Sequence, residues 1–178
     1  MKQLIKIIDA ISTFVGGLAG AMLCLGLLLT CAEILLRTAF DRTLYITDEY
    51  SGYLMCGLTF CALGYTLKEK GHIRMTIMHG IIKGRKRDYL DTICFALGCI
   101  FSLFITFYTW ELFRDSIATS SQSMQLSATY LAIPQFAMPF GALILTLQFF
   151  SEFLKSILIL KGDTAGLVLR EEIQDLGR

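Results

Sequence analysis

Residues 10–32 read AISTFVGGLAGAMLCLGLLLTCA, a run without a single charged side chain. At about 1.5 Å of rise per residue such a run makes a helix of about 35 Å, enough to cross a hydrocarbon core of about 30 Å. The pattern recurs at 50–67, 92–110 and 116–151. The last of these is too long for one crossing and divides by composition. Residues 116–129 carry seven Ser or Thr, whereas 130–150 is almost wholly apolar. Lipid offers no partner to a free N–H or C=O, so each crossing must be helical. The expected fold class is an all-α membrane protein with four transmembrane helices, near 10–33, 49–67, 90–112 and 131–156.

Composition agrees. The chain has 178 residues, 54% hydrophobic and 17% charged, which is not the balance of a soluble domain. Its net charge of +1 arises from local basic clusters and gives no reason to expect nucleic acid. Six cysteines lie inside apolar runs, where cysteine packs as a small hydrophobe. There is no CxxC and no zinc-ligand spacing. Lys2 and Lys6 precede the first run as they would in a signal peptide, but the run exceeds the usual apolar length of about 7–15 residues. It is read as a retained helix.

Positive charge sets the orientation. If the N-terminus is inside, thirteen Lys and Arg fall on the cytoplasmic side and three on the other. That places both termini in the cytoplasm, with a membrane domain over 1–160 and a cytoplasmic tail over 161–178. The connection between the second and third helices, which begins KEKGHIRMTIMHG at 68–80, is cytoplasmic as well. There Ile73, Ile77 and Ile81 recur at four-residue steps among basic residues, the pattern of a short amphipathic helix in the interface. It is expected over about 72–84, with Gly71, Gly80 and Gly84 limiting its length.

The same connection holds both histidines, His72 and His79, two helical turns apart. A haem or quinone anchor of a redox enzyme is one reading of that pair. Bis-histidine haem needs imidazoles on facing helices within the spans, and the spans have none. Glu33 raises a second alternative, a stand-alone exporter that works as a homodimer and couples to protons. Measured from Ile11, Glu33 sits about 33 Å along its helix, at the far interface. There Arg37, four residues on, would pair with it. Asp48 and Glu49 open the second helix, where acids suit the helix dipole. Glu111 with Arg114 and Asp115, and Glu152 with Lys155, read as further interfacial pairs. No catalytic triad, phosphate loop or helical metal motif is present, so an enzyme is not expected. Neither is a cofactor or a metal site.

Small residues mark candidate helix contacts: Gly16 and Gly20, Gly17 and Ala21, and the row Gly52, Cys56, Gly57, Cys61 and Gly64. Trp110, Tyr108 and Tyr130 suit an aromatic belt. Pro134 fits a first helical turn, and Pro139 should kink the last helix.

In this order the features resemble the small four-helix membrane subunit (DctQ-like) of tripartite ATP-independent periplasmic (TRAP) transporters. The residues that carry the likeness are Asp48 and Glu49, then Gly64, then Gly71, His72, Ile73 and Arg74. Ser127, Ile133 and Pro134 follow, with Pro139, Phe140 and Gly141 in the last helix. Thr47 stands where the family often has an aromatic residue, and Thr76 where it often has an acid. The resemblance implies a non-catalytic scaffold in the cytoplasmic (inner) membrane of a bacterium or archaeon. It would support a large multi-span subunit during uptake of an organic anion, usually a carboxylate, delivered by a periplasmic substrate-binding protein. Sodium coupling would reside in that large subunit and not in this chain.

Overall fold

The computed structural model describes residues 2–69, 85–125 and 127–160. Within them lie five helices: α1, Lys2–Phe40; α2, Thr47–Lys68; α3, Arg85–Ala118; α4, Ala132–Gln135; and α5, Ala137–Leu160. The only extended pairing among the described residues is an isolated antiparallel bridge between Gln122 and Tyr130. The interfacial segment 72–84, with Gly71, His72 and Arg74, and the tail 161–178 fall outside the described residues.

α1 is 39 residues long and so runs about 58 Å, well beyond the stretch 10–33. Nothing in its sequence breaks a helix before Asp41, whose φ of 56° turns the chain out. Hydroxyls inside the apolar runs satisfy themselves locally: Thr13, Thr30, Thr59 and Thr66 each donate to the carbonyl four residues back. α3 ends in the same way as α1, with Ser120 at a φ of 48°. α4 and α5 are almost one helix, since backbone bonds continue from Gln135 to Leu131 and from Phe136 to Ala132. The break at Phe136 has a sequence cause. Pro139 has no N–H to give the carbonyl four residues before it, that of Gln135, the last residue of α4.

α5 is the hub and packs against α1, α2 and α3. Contacts fix the directions. Gly16 meets Tyr65 and Gly57 meets Met22, so α1 and α2 are antiparallel; Gly57 meets Ala137 and Gly64 meets Ile144, so α2 and α5 are parallel. α3 runs antiparallel to α5, with Gly98 on Phe149 and Thr92 on Ser156. One apolar cluster joins Val15 and Ala19 to Cys61 and Ile144, and another joins Leu67 and Phe95 to Leu145. The outward faces of α1 and α3 stay apolar: Leu27, Leu28, Phe101, Phe104 and Phe107 are all exposed.

Among the described residues, three stretches are long and apolar enough to cross a membrane: Gln3–Phe40, Asp88–Ala118 and Ala132–Leu160. α2 is not among them, because Thr, Ser, Gly and Tyr residues dilute its hydropathy. Its 22 residues nonetheless lie alongside α1 over a matching depth. Thr47 bonds Glu33 at one end and Lys68 bonds Thr13 at the other. Thr13 to Glu33 is about 30 Å of helix.

Candidate functional site

The start of α2 gathers the polar groups of one end of the molecule. Asp48 is exposed and has the position of an acid in a first helical turn. Glu49, its neighbour, is buried at 5% exposure. Its carboxylate accepts a hydrogen bond of 2.6 Å from the Tyr53 hydroxyl on the same helix. It accepts another from the Ser127 hydroxyl, in the loop that joins α3 to α4. Ser127 in turn bonds Thr129 at 2.8 Å, and Tyr50 lies 3.3 Å from the same Thr129 oxygen. Glu33 does comparable work beside it. Its Oε2 accepts from the Leu44 N–H at 2.7 Å and the Thr47 hydroxyl at 3.3 Å.

That last geometry corrects the expected Glu33–Arg37 pair. No ion pair joins them among the described residues: the turn at 41–46 brings the Leu44 N–H, and the start of α2 the Thr47 hydroxyl, to the carboxylate instead. Glu111, Arg114 and Asp115 likewise form no ion pair among the described residues.

Gly64, Pro139 and Gly141 build the waist. A Cβ on Gly64 would stand 2.8 Å from Ile144 Cγ2, and one on Gly141 would stand 2.5 Å from the backbone carbon and oxygen of Phe60. Glycine is therefore required for α2 and α5 to approach this closely. Pro139 is buried in the first turn of α5, and Pro134 lies in α4. By contrast a Cβ on Gly17 or Gly20 would meet nothing within 4 Å, so only Gly16 of that row makes an internal contact.

The other end of the bundle holds a network that pair-by-pair reading of the sequence did not find. Lys155 Nζ lies 2.9 Å from Asp9 Oδ2 and 2.7 Å from Glu152 Oε1. The fully buried Gln148 donates to Asp9 Oδ1 at 3.0 Å and accepts from the Ser12 hydroxyl at 2.6 Å. The Glu152–Lys155 pair was expected; Asp9, Ser12 and Gln148 were not. A signal did exist: Gln148 is the one amide in the apolar stretch 136–151, and a buried amide must find partners.

Sites that hold helices together therefore occupy both ends and the waist. Among the described residues no group of three or more His, Cys, Asp or Glu is placed to hold a metal ion. These features define a helical membrane protein whose polar residues serve contact between its own segments.

The family model for the DctQ component of tripartite ATP-independent periplasmic transporters matches residues 26–158. The chain belongs to that family: it is a small subunit of a TRAP transporter, a multi-pass protein of the inner membrane. It is also similar to the small permease protein TeaB of the ectoine TRAP transporter of Halomonas elongata. The two are 27% identical over 107 residues, which is 58% of this chain and 55% of TeaB. The match thus spans about half the length of that relative. No solved structure matches the chain.

Proposed function

We propose that the chain is a non-catalytic scaffold that docks beside a large multi-span membrane subunit. Together they take up an organic anion, a carboxylate, from a periplasmic substrate-binding protein. Sodium coupling belongs to the large subunit. The observation that carries this reading is where the ionisable groups sit. Glu33 and Glu49 at one end, and Asp9 and Glu152 at the other, are engaged by hydroxyls, backbone, an amide or lysine, and the waist between them is built on close glycine contacts and holds no ionised side chain among those contacts. A transport pathway through this chain would need polar groups facing a cavity at mid-depth. TeaB, by its name, serves ectoine, so relatedness alone does not fix the substrate.

In this reading α2 is the fourth crossing, which the depth it shares with α1 supports. The Lys155 end and both termini are cytoplasmic, as the thirteen-to-three division of Lys and Arg favours. The Glu49 end then faces the binding protein. Gly71, His72 and Arg74 follow α2 on the cytoplasmic side, and we assign them to fixing where α2 ends. The test is co-expression with the adjacent reading frames, with an affinity tag on this chain and purification in mild detergent. A much larger multi-span protein should be retained in fixed proportion. A chain that emerges alone, despite good expression of its neighbours, overturns the proposal.

A further inference from the structure

We propose that Glu49 is a positioning residue: through Ser127 it clamps the loop between α3 and α4 onto the start of α2 and so fixes the face that a soluble binding protein meets. The clamp itself stands on the contacts alone; its use by a binding protein rests on the function proposed above.

The contrast with Asp48 is the reason to look beyond helix capping. An exposed acid in the first turn already satisfies the helix dipole, and Asp48 supplies one. Burying a second carboxylate costs free energy unless hydrogen bonds replace its water. Glu49 is buried, and its recorded partners among the described residues are hydroxyls, with no ammonium or guanidinium. Ser127 is 78 residues away in sequence, so this bond closes the bundle's end and not a local turn.

The loop has its own reasons to need an anchor. Ala128, between the two hydroxyl residues Ser127 and Thr129, sits at a φ of 45°, a left-handed conformation that alanine adopts only when its surroundings enforce it. Two backbone bonds close the loop on itself, Ser123 N–H to Thr129 at 2.9 Å and Leu131 N–H to Ser121 at 3.0 Å. At its tip Met124 is fully exposed. The loop is thus internally braced yet joined to α2 through Glu49 and, more weakly, through Tyr50 and Thr129. Removing the carboxylate should free it as a unit.

The test uses the purified full chain in lipid nanodiscs, with the native cysteines replaced and a spin label on Met124→Cys. Glu49→Ala and Ser127→Ala should both mobilise the label, Glu49→Gln less so because an amide oxygen still accepts from hydroxyls, and Asp48→Ala not at all. An immobile label in both Glu49→Ala and Ser127→Ala overturns the clamp, as does equal loosening by Asp48→Ala. Ser127→Ala removes a single hydroxyl and keeps the test decisive should Glu49→Ala fail to fold. In the assembled transporter, Ser127→Ala should raise the binding-protein concentration for half-maximal uptake roughly tenfold, with a smaller change in the saturating rate, since ordering a mobile interface loop is charged to binding. A loosened label with unchanged half-saturation overturns the role in reception. Failure of the parent chain to find any large subunit would instead overturn the proposed function, while the label still reports on the clamp.

Discussion

The two ends of the bundle solve the same problem with different chemistry. At the Glu49 end, two carboxylates are held by neutral donors: Tyr53 and Ser127 for Glu49, and Leu44 N–H and Thr47 for Glu33. At the Lys155 end, two carboxylates share one ammonium, with an amide and a hydroxyl completing the set. Arg37 lies four residues from Glu33 yet forms no ion pair with it, so what distinguishes the ends is which donors the fold brings to each carboxylate. A carboxylate held by two neutral donors keeps one of them when the other is lost. At the Lys155 end a single ammonium serves two carboxylates, and losing it leaves both without a counter-charge.

Both ends depend on the waist, so the largest effect is expected there. Gly141→Val would drive a side chain into the Phe60 backbone, which has no rotamer with which to yield. It should cost about 3 kcal/mol or more and separate α2 from α5, read as loss of folded protein in detergent. Lys155→Met comes next. Breaking a buried pair costs about 3–5 kcal/mol, and the partial exposure of Lys155 and Asp9, 22% and 25%, places this one near the lower bound. If charge balance is what matters, adding Asp9→Asn and Glu152→Gln should return the melting temperature most of the way to that of the parent. A triple variant as unstable as Lys155→Met would erase the distinction between the two ends. Glu33→Ala should cost about 1 kcal/mol by leaving the Leu44 N–H unpaired, and Glu33→Gln clearly less. Smallest is the hydroxyl pair between the ends, Thr106 and Thr146, 3.0 Å apart. A double-mutant cycle to valine should give a coupling of about 0.6 kcal/mol.

Charge-free runs made α1, α3 and α5 legible in the sequence, since length and the absence of charge are read along the chain. The ends of α1 and α3 were not, because their helices continue past the apolar stretch until a left-handed residue stops them, at Asp41 and Ser120. Asp48 and Glu49 could be placed at the start of α2, but one reading, dipole complementarity, was given to both. Only the fold shows that Glu49 turns inward to Ser127 while Asp48 faces out. Helical spacing matches Glu33 to Arg37, yet its partners come from the turn after α1 and from the start of α2, whose path spacing does not encode. The Ser12–Gln148 contact joins positions 136 apart, and no local pattern announces such a pair. Local chemistry showed which residues needed partners; tertiary structure supplied the partners.

The most direct measurement is transport itself, in cells that lack this chain but retain the large membrane subunit and the binding protein. A required scaffold predicts that binding-protein-dependent uptake of the radiolabelled substrate falls to background, and that supplying the chain in trans restores it while the Gly141→Val variant does not. Full uptake in its absence would contradict the scaffold role.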